Sequence, residues 1–162
     1  MRTPRLLVRP ALVGLIALAA GAPALSGCDS GGSAVCPTDV AFDIEDVTPD
    51  SVQAGDAIQQ GDCISVAYVG RVAESGGIFS RGDDRRFVFP NDSRLPRGFI
   101  LGLAGQQVGE TRIVTVPPNL GYGPVDVNAG VEGLADVPSC SVLEFEITLN
   151  RIYQDNRSCS GS

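Results

Sequence analysis

Residues Leu95 to Gly123 read LPRGFILGLAGQQVGETRIVTVPPNLGYG, and three elements follow one another there without a spare residue. Phe99, Ile100, Leu103 and Ala104 recur at helical spacing, which predicts a short helix between Leu95 and Gly105. Pro96 suits its first position, where a missing N–H would have no intrahelical partner anyway. A strand then leads into a Pro-Pro/Gly-Tyr-Gly loop. Tyr122, flanked by Gly121, Gly123 and Pro124, has backbone freedom around it and a hydroxyl that needs a partner, so it reads as a working residue more readily than as core.

Outward from this segment the chain is built of strands. Leu143, Phe145, Ile147 and Leu149 alternate with Glu144, Glu146, Thr148 and Asn150, the period of a half-buried antiparallel strand. Ile64, Val66, Tyr68 and Val72 alternate in the same way, interrupted at Gly70. Ser75-Gly76-Gly77 supplies a turn into a strand entering at Ile78 and Phe79. Phe89 lies one step beyond Phe87 on the same face and reads as core.

Composition removes several classes of chemistry. The 162 residues include no histidine, and all 12 basic residues are arginine. His-based triads and imidazole acid–base catalysis are therefore excluded. The five cysteines are widely spaced with no C-x-x-C, which argues against structural zinc, and no cofactor or metal is expected. From Cys28 onward 9 arginines face 19 Asp and Glu residues, a net charge of about −10, so nucleic acid is excluded as a partner. Such acidity serves solubility, or adaptation to a salt-rich habitat.

The central segment resembles that of the FKBP-type peptidyl-prolyl isomerases. Arg97, Gly98, Phe99, Gly102, Ala104, Val108, Gly109, Tyr122 and Gly123 match that family's pattern, as do Val66, Tyr68, Gly70, Gly77-Ile78-Phe79, Phe87, Phe89 and the Leu143–Leu149 alternation. The resemblance covers roughly residues 40 to 153. It implies an α+β domain, a curved antiparallel five-stranded sheet wrapped around one short helix, in strand order 1-4-5-2-3. It also implies an apolar hollow walled by Tyr68, Phe79, Phe87, Phe99, Tyr122 and Phe145 as catalytic residues, with Leu95, Pro96, Val137 and Ser80 beside them as substrate contacts. The expected ligand is a proline-containing unfolded or extended polypeptide, bound by a monomer. Prolyl isomerisation is the expected activity, and a non-catalytic module binding extended proline-containing segments is the alternative; an anchored structural lipoprotein with no ligand would require the pocket to be filled by its own side chains.

Two residues depart from the family pattern. Ser80 stands where an acidic residue usually follows the first pocket Phe, with Asp83 and Asp84 expected nearby in a shortened loop. Pro96 replaces an aliphatic residue whose backbone N–H contacts a ligand carbonyl, and proline cannot donate that bond. Macrolide affinity is expected to suffer more than catalysis.

Arg2, Arg5 and Arg9 precede an apolar run from Ala11 to Ala20, the form of a secretory signal, and Leu25-Ser26-Gly27-Cys28 resembles a bacterial lipobox. The expected organisation is a signal peptide over 1–27, lipidated Cys28 and a flexible tether over 28–38, the domain over 39–153 and a tail over 154–162. The protein would then be held at a membrane of the bacterial cell envelope, on the extracytoplasmic side, by lipid on Cys28. An ordinary secreted protein with Cys28 as an unpaired thiol is the alternative. Setting Cys28 aside leaves an even number of cysteines, and the strand order implied by the resemblance favours Cys36 with Cys140 and Cys63 with Cys159.

Overall fold

The computed structural model describes residues 35–154 and 156–159. The expected signal peptide, Cys28, the part of the expected tether up to residue 34, and residues 155 and 160–162 lie outside them. Five strands, β1 (Asp43–Asp46), β2 (Cys63–Val72), β3 (Ile78–Val88), β4 (Thr111–Val116) and β5 (Leu143–Tyr153), and one helix, α1 (Arg97–Gly102), carry the fold. The sheet is antiparallel in order β1-β4-β5-β2-β3. Its two long strands β2 and β5 pair from Cys63 opposite Tyr153 to Val72 opposite Leu143, with one shift of register between Ser65 and Val66.

Alternation sets the core. Leu143, Phe145, Ile147 and Leu149 of β5 are buried together with Ile64 and Val66 of β2 and Val114 and Val116 of β4. Helix α1 packs across this face on β4, and two glycines allow it to come close. A methyl on Gly98 would overlap both Cγ atoms of Val116, and one on Gly102 would sit 2.6 Å from a Cγ of Val114. Phe99 and Leu103, on the neighbouring stripe, are fully buried.

Three local expectations are corrected. Pro96 is the residue before the first helical one, with φ −57° and ψ 145°, so its ring fixes the entry of the chain and Arg97 opens the helix. Ala104 is exposed, because the helix has ended at Gly102 and the following turn carries it outward. Asp83 and Asp84 belong to β3 and face solvent, since β3 continues unbroken from Ile78 to Val88 through a bulge.

Two disulfides staple the domain. Cys36 is bonded to Cys140 and Cys63 to Cys159, with sequence separations of 104 and 96. The first ties the chain ahead of β1 to the start of β5; the second ties β2 to a turn of 3₁₀ helix after β5. Loops of that length give a chain-entropy stabilisation of about 4–5 kcal/mol each.

Candidate functional site

Five rings from five separate segments form one unbroken row on the helix side of the sheet. Tyr68 of β2 meets Phe99 of α1 at 5.4 Å between centroids, Phe99 meets Phe145 of β5 at 5.1 Å, Phe145 meets Phe79 of β3 at 5.6 Å, and Phe79 meets Tyr122 at 6.1 Å. Interplanar angles of 79° to 84° make every contact edge-to-face, an arrangement worth about 0.5–1.5 kcal/mol per pair beyond area burial. The middle three rings are buried, whereas the tyrosines at the two ends are only partly so. Gly70 makes the crossing possible, because a Cβ there would lie 2.8 Å from Phe145 Cε1 and 2.9 Å from Phe79 Cζ.

The two hydroxyls differ. Tyr68 Oη is 2.9 Å from Ser80 Oγ, so Ser80 fixes the ring at one end of the row. Tyr122 Oη has no hydrogen-bond partner among the described residues. Its loop is nonetheless held firmly: the Gly121 and Gly123 N–H groups donate to Pro118 O at 3.1 and 2.9 Å, and Cys140 N–H donates to Gly123 O at 2.8 Å. Burial, with the Tyr68 hydroxyl as a lesser influence, pushes the Tyr122 phenol above its ordinary pKa. It stays protonated, and therefore able to donate, throughout the neutral range.

Leu95 and Pro96 enter α1 beside Phe99, Leu95 partly buried and Pro96 buried. Val137 is buried and exchanges two 2.8 Å backbone hydrogen bonds with Val127, which closes the loop beyond Tyr122 on itself. Phe87 is buried on β3 opposite Ile64, but no ring of the row contacts its ring, so it supports the wall from the core. Among the described residues no group of His, Cys, Asp or Glu is placed to hold a metal.

Sequence reasoning missed the carboxylate that shapes the approach to α1. Asp92 Oδ1 accepts the Arg94 N–H and Nε–H at 3.0 Å each, and Oδ2 accepts an Arg85 NH₂ at 2.7 Å, with the Asp92 side chain only 4% exposed. Burial alone would raise this carboxyl; the hydrogen bonds from Arg94 and Arg85 outweigh it and hold the carboxyl below the ordinary carboxylate range. Asp92-Ser93-Arg94 has the composition of a turn, but nothing local to it points to Arg85. Gln106 was also unforeseen: it is fully buried, and its amide donates to the carbonyls of Glu110 at 2.9 Å and Ile147 at 3.0 Å.

Comparison with known proteins agrees with this architecture. The family model described as FKBP-type peptidyl-prolyl cis-trans isomerase matches residues 55–150. The chain is 34% identical to peptidyl-prolyl cis-trans isomerase FKBP15-3 of Arabidopsis thaliana over 59% of its own length and 63% of the relative's, and 37% identical to FKBP9 of Mus musculus over 59% of its own length and 16% of that protein. It thus spans less than two thirds of either. FK506-binding protein 2 of Emericella nidulans is 31% identical over 65% of this chain and 75% of its own. Among solved structures, AtFKBP13 superposes with a TM-score of 0.55 and 26% identity, covering 74% of this chain and 97% of that one. A Pseudomonas syringae peptidyl-prolyl isomerase shares the fold at a TM-score of 0.52 and 23% identity, covering 70% of this chain and 76% of that one. With the matched residues filling more than half of its length, this chain belongs to the FKBP-type peptidyl-prolyl cis-trans isomerase family.

Proposed function

We propose that the domain is a prolyl isomerase of modest activity that assists the folding of exported proteins at a membrane surface. The observation that carries the reading is the row of rings ending at Tyr122, whose neutral hydroxyl is left without a partner beside an apolar wall. Rotation about a prolyl amide is slow because resonance gives the C–N bond double-bond character, with a barrier of about 18–20 kcal/mol. An apolar wall disfavours the charge-separated planar amide relative to the twisted one, and a donor aimed at the rotated carbonyl binds the twisted state more strongly. Lowering the barrier by about 4 kcal/mol accelerates exchange roughly a thousandfold. No nucleophile, metal or proton transfer is needed.

Pro96 bears on specificity. It stands just before α1, at the position where the resemblance to the family implies a backbone N–H toward the ligand, so a bound peptide or macrolide loses one hydrogen bond, worth about 1 kcal/mol. Catalysis depends on the walls more than on that bond. A binding module that holds extended proline-containing segments without turning them over remains the second reading, and Pro96 is the observation that favours it.

Attachment to the envelope membrane by lipid on Cys28 is part of the same proposal. Its support is the sequence Leu25-Ser26-Gly27-Cys28 behind an apolar run, and acyl chains contribute about 0.8 kcal/mol per buried CH₂. Among the described residues no helix is long and apolar enough to cross a membrane. Refolding of an exported protein limited by proline isomerisation is the test. Substoichiometric amounts of the oxidised chain should remove the slow phase, and Cys28→Ala should abolish lipid labelling while leaving that acceleration intact. Saturable binding of the unfolded protein with an unchanged slow phase would select the binding module.

A further inference from the structure

A second concavity lies on the face of the sheet turned away from the aromatic row. Ser65, between the core residues Ile64 and Val66, is 2% exposed, and its cross-strand neighbours are Arg86 on β3 and Arg151 on β5. Bulges interrupt both neighbours of β2 at this point. Val66 pairs with Arg85 and Tyr68 with Gly82, so Asp83 and Asp84 together stand opposite Ala67; Ser65 pairs with Arg151 but Val66 with Leu149, so Asn150 is the extra residue. A bulge turns two consecutive side chains to one face, and Asp83, Asp84, Asn150 and Arg151 are all exposed. The two bulges are joined across β2, where Asn150 Nδ2 donates to Asp83 O at 3.0 Å. The hollow that results measures about 290 Å³ and is completed by Tyr153.

Its polar groups divide into satisfied and unsatisfied sets. Asp84 accepts the Ser65 hydroxyl and both Arg86 Nε, at 3.0 Å, and an Arg86 NH₂, so that trio is neutral and internally bonded. The Arg151 guanidinium makes no ion pair or hydrogen bond among the described residues, acts on Asp84 only through space, and rests 5.8 Å from the Tyr153 ring centroid, with Arg86 at 5.4 Å from the same ring. The Asp83 carboxylate likewise has no partner among the described residues. One free guanidinium and one free carboxylate thus line the same hollow without reaching each other.

That pairing selects a ligand class. A doubly charged phosphate would meet Asp83 at close range, and a bare cation would meet Arg151. A sugar ring would need an open aromatic face, and both guanidinium groups lie against Tyr153. We propose that the hollow binds a small zwitterion, its singly charged oxyanion on Arg151 and its ammonium group on Asp83, with the Asn150 side-chain oxygen as a further acceptor. Free amino acids and dipeptides carry this pair of charges, and so does the phosphoethanolamine headgroup. The site is independent of prolyl isomerisation.

Amide-resolved NMR titration of the full-length protein tests it. Glycyl-glycine, or glycerophosphoethanolamine if the source is a headgroup, should give saturable shifts at Ser65, Arg86, Asn150, Arg151 and Tyr153. Acetylating the dipeptide's amine or amidating its carboxylate should weaken binding roughly tenfold, as loss of a charge-assisted pair does. Asp83→Asn should remove the penalty for acetylation and Arg151→Gln the penalty for amidation; both positions are exposed, so folding is retained. Glycerophosphocholine, which lacks ammonium protons, should bind no better than acetylated dipeptide. Shifts that fail to saturate, equal affinity for blocked and unblocked ligands, or reproduction of the shifts by potassium chloride would overturn the proposal.

Discussion

The two walls of the aromatic site are built on opposite principles. On the α1 side, Gly98 and Gly102 bring backbone against Val116 and Val114, and Phe99 is wholly buried between Tyr68 and Phe145. On the other side Tyr122 projects from a loop held by backbone hydrogen bonds and by the Cys36–Cys140 disulfide, while Val125 and Val131 farther along are 57% and 59% exposed. Packing density fixes the first wall, and hydrogen bonds with a covalent staple fix the second. The same site therefore has one face on which shape and stability are inseparable and another on which a side chain can change without disturbing the core.

Replacing Phe99 by Ala should separate the walls most sharply. It removes the ring that joins Tyr68 to Phe145, and the expected loss of stability in denaturant unfolding is about 4 kcal/mol, the usual scale for a buried Phe. Gly98→Ala is next. Its methyl has nowhere to go but into Val116, so α1 must lift from β4, at a cost of about 2 kcal/mol. Either variant retaining wild-type stability would show that α1 is not packed on β4 as described.

Acid should act on the first wall through Asp92. Its folded carboxyl titrates below the unfolded one, so its contribution is complete above the ordinary carboxylate pKa of about 4 and is lost as pH falls through the lower folded value. Unfolding measured below pH ~4 should show the steepening, and Asp92→Asn should flatten it at the expense of stability near neutrality. A variant with the wild-type acid profile would assign that dependence to other carboxylates.

Tyr122→Phe should produce the smallest change and the most selective one. Stability should be unaltered, because its hydroxyl bonds nothing among the described residues, while kcat/KM should fall about fivefold for a lost hydrogen bond of about 1 kcal/mol. Activity should stay flat across neutral pH, since the raised phenol remains protonated there.

These differences also mark what was legible in the sequence. The β5 alternation and the helical spacing of Phe99 and Leu103 are local patterns, and the element order between Leu95 and Gly123 survives in the fold with the helix entry at Pro96 moved by one residue and its end drawn back to Gly102. Both bulges escaped, although Asn150-Arg151 and Asp83-Asp84 each set two polar residues side by side where strict alternation would allow one. The loop expected at Asp83 and Asp84 came from the resemblance to the family, and β3 runs through them instead. The Asp92–Arg85 pair and the Gln106 amide bonds depend on contacts between distant segments, which periodicity does not carry. Ser80, conspicuous as a departure from an acidic residue, holds the Tyr68 hydroxyl.

Exchange of magnetisation between the cis and trans forms of a short Xaa-Pro peptide, with catalytic amounts of the oxidised full-length chain, tests the account most directly. Exchange should accelerate in proportion to protein concentration, by less in Tyr122→Phe and hardly at all in Tyr122→Ala, with both variants folded as the parent is. Peptide that binds at Phe99 and Tyr122 without faster exchange, or Tyr122→Ala that catalyses as well as the parent, would contradict it.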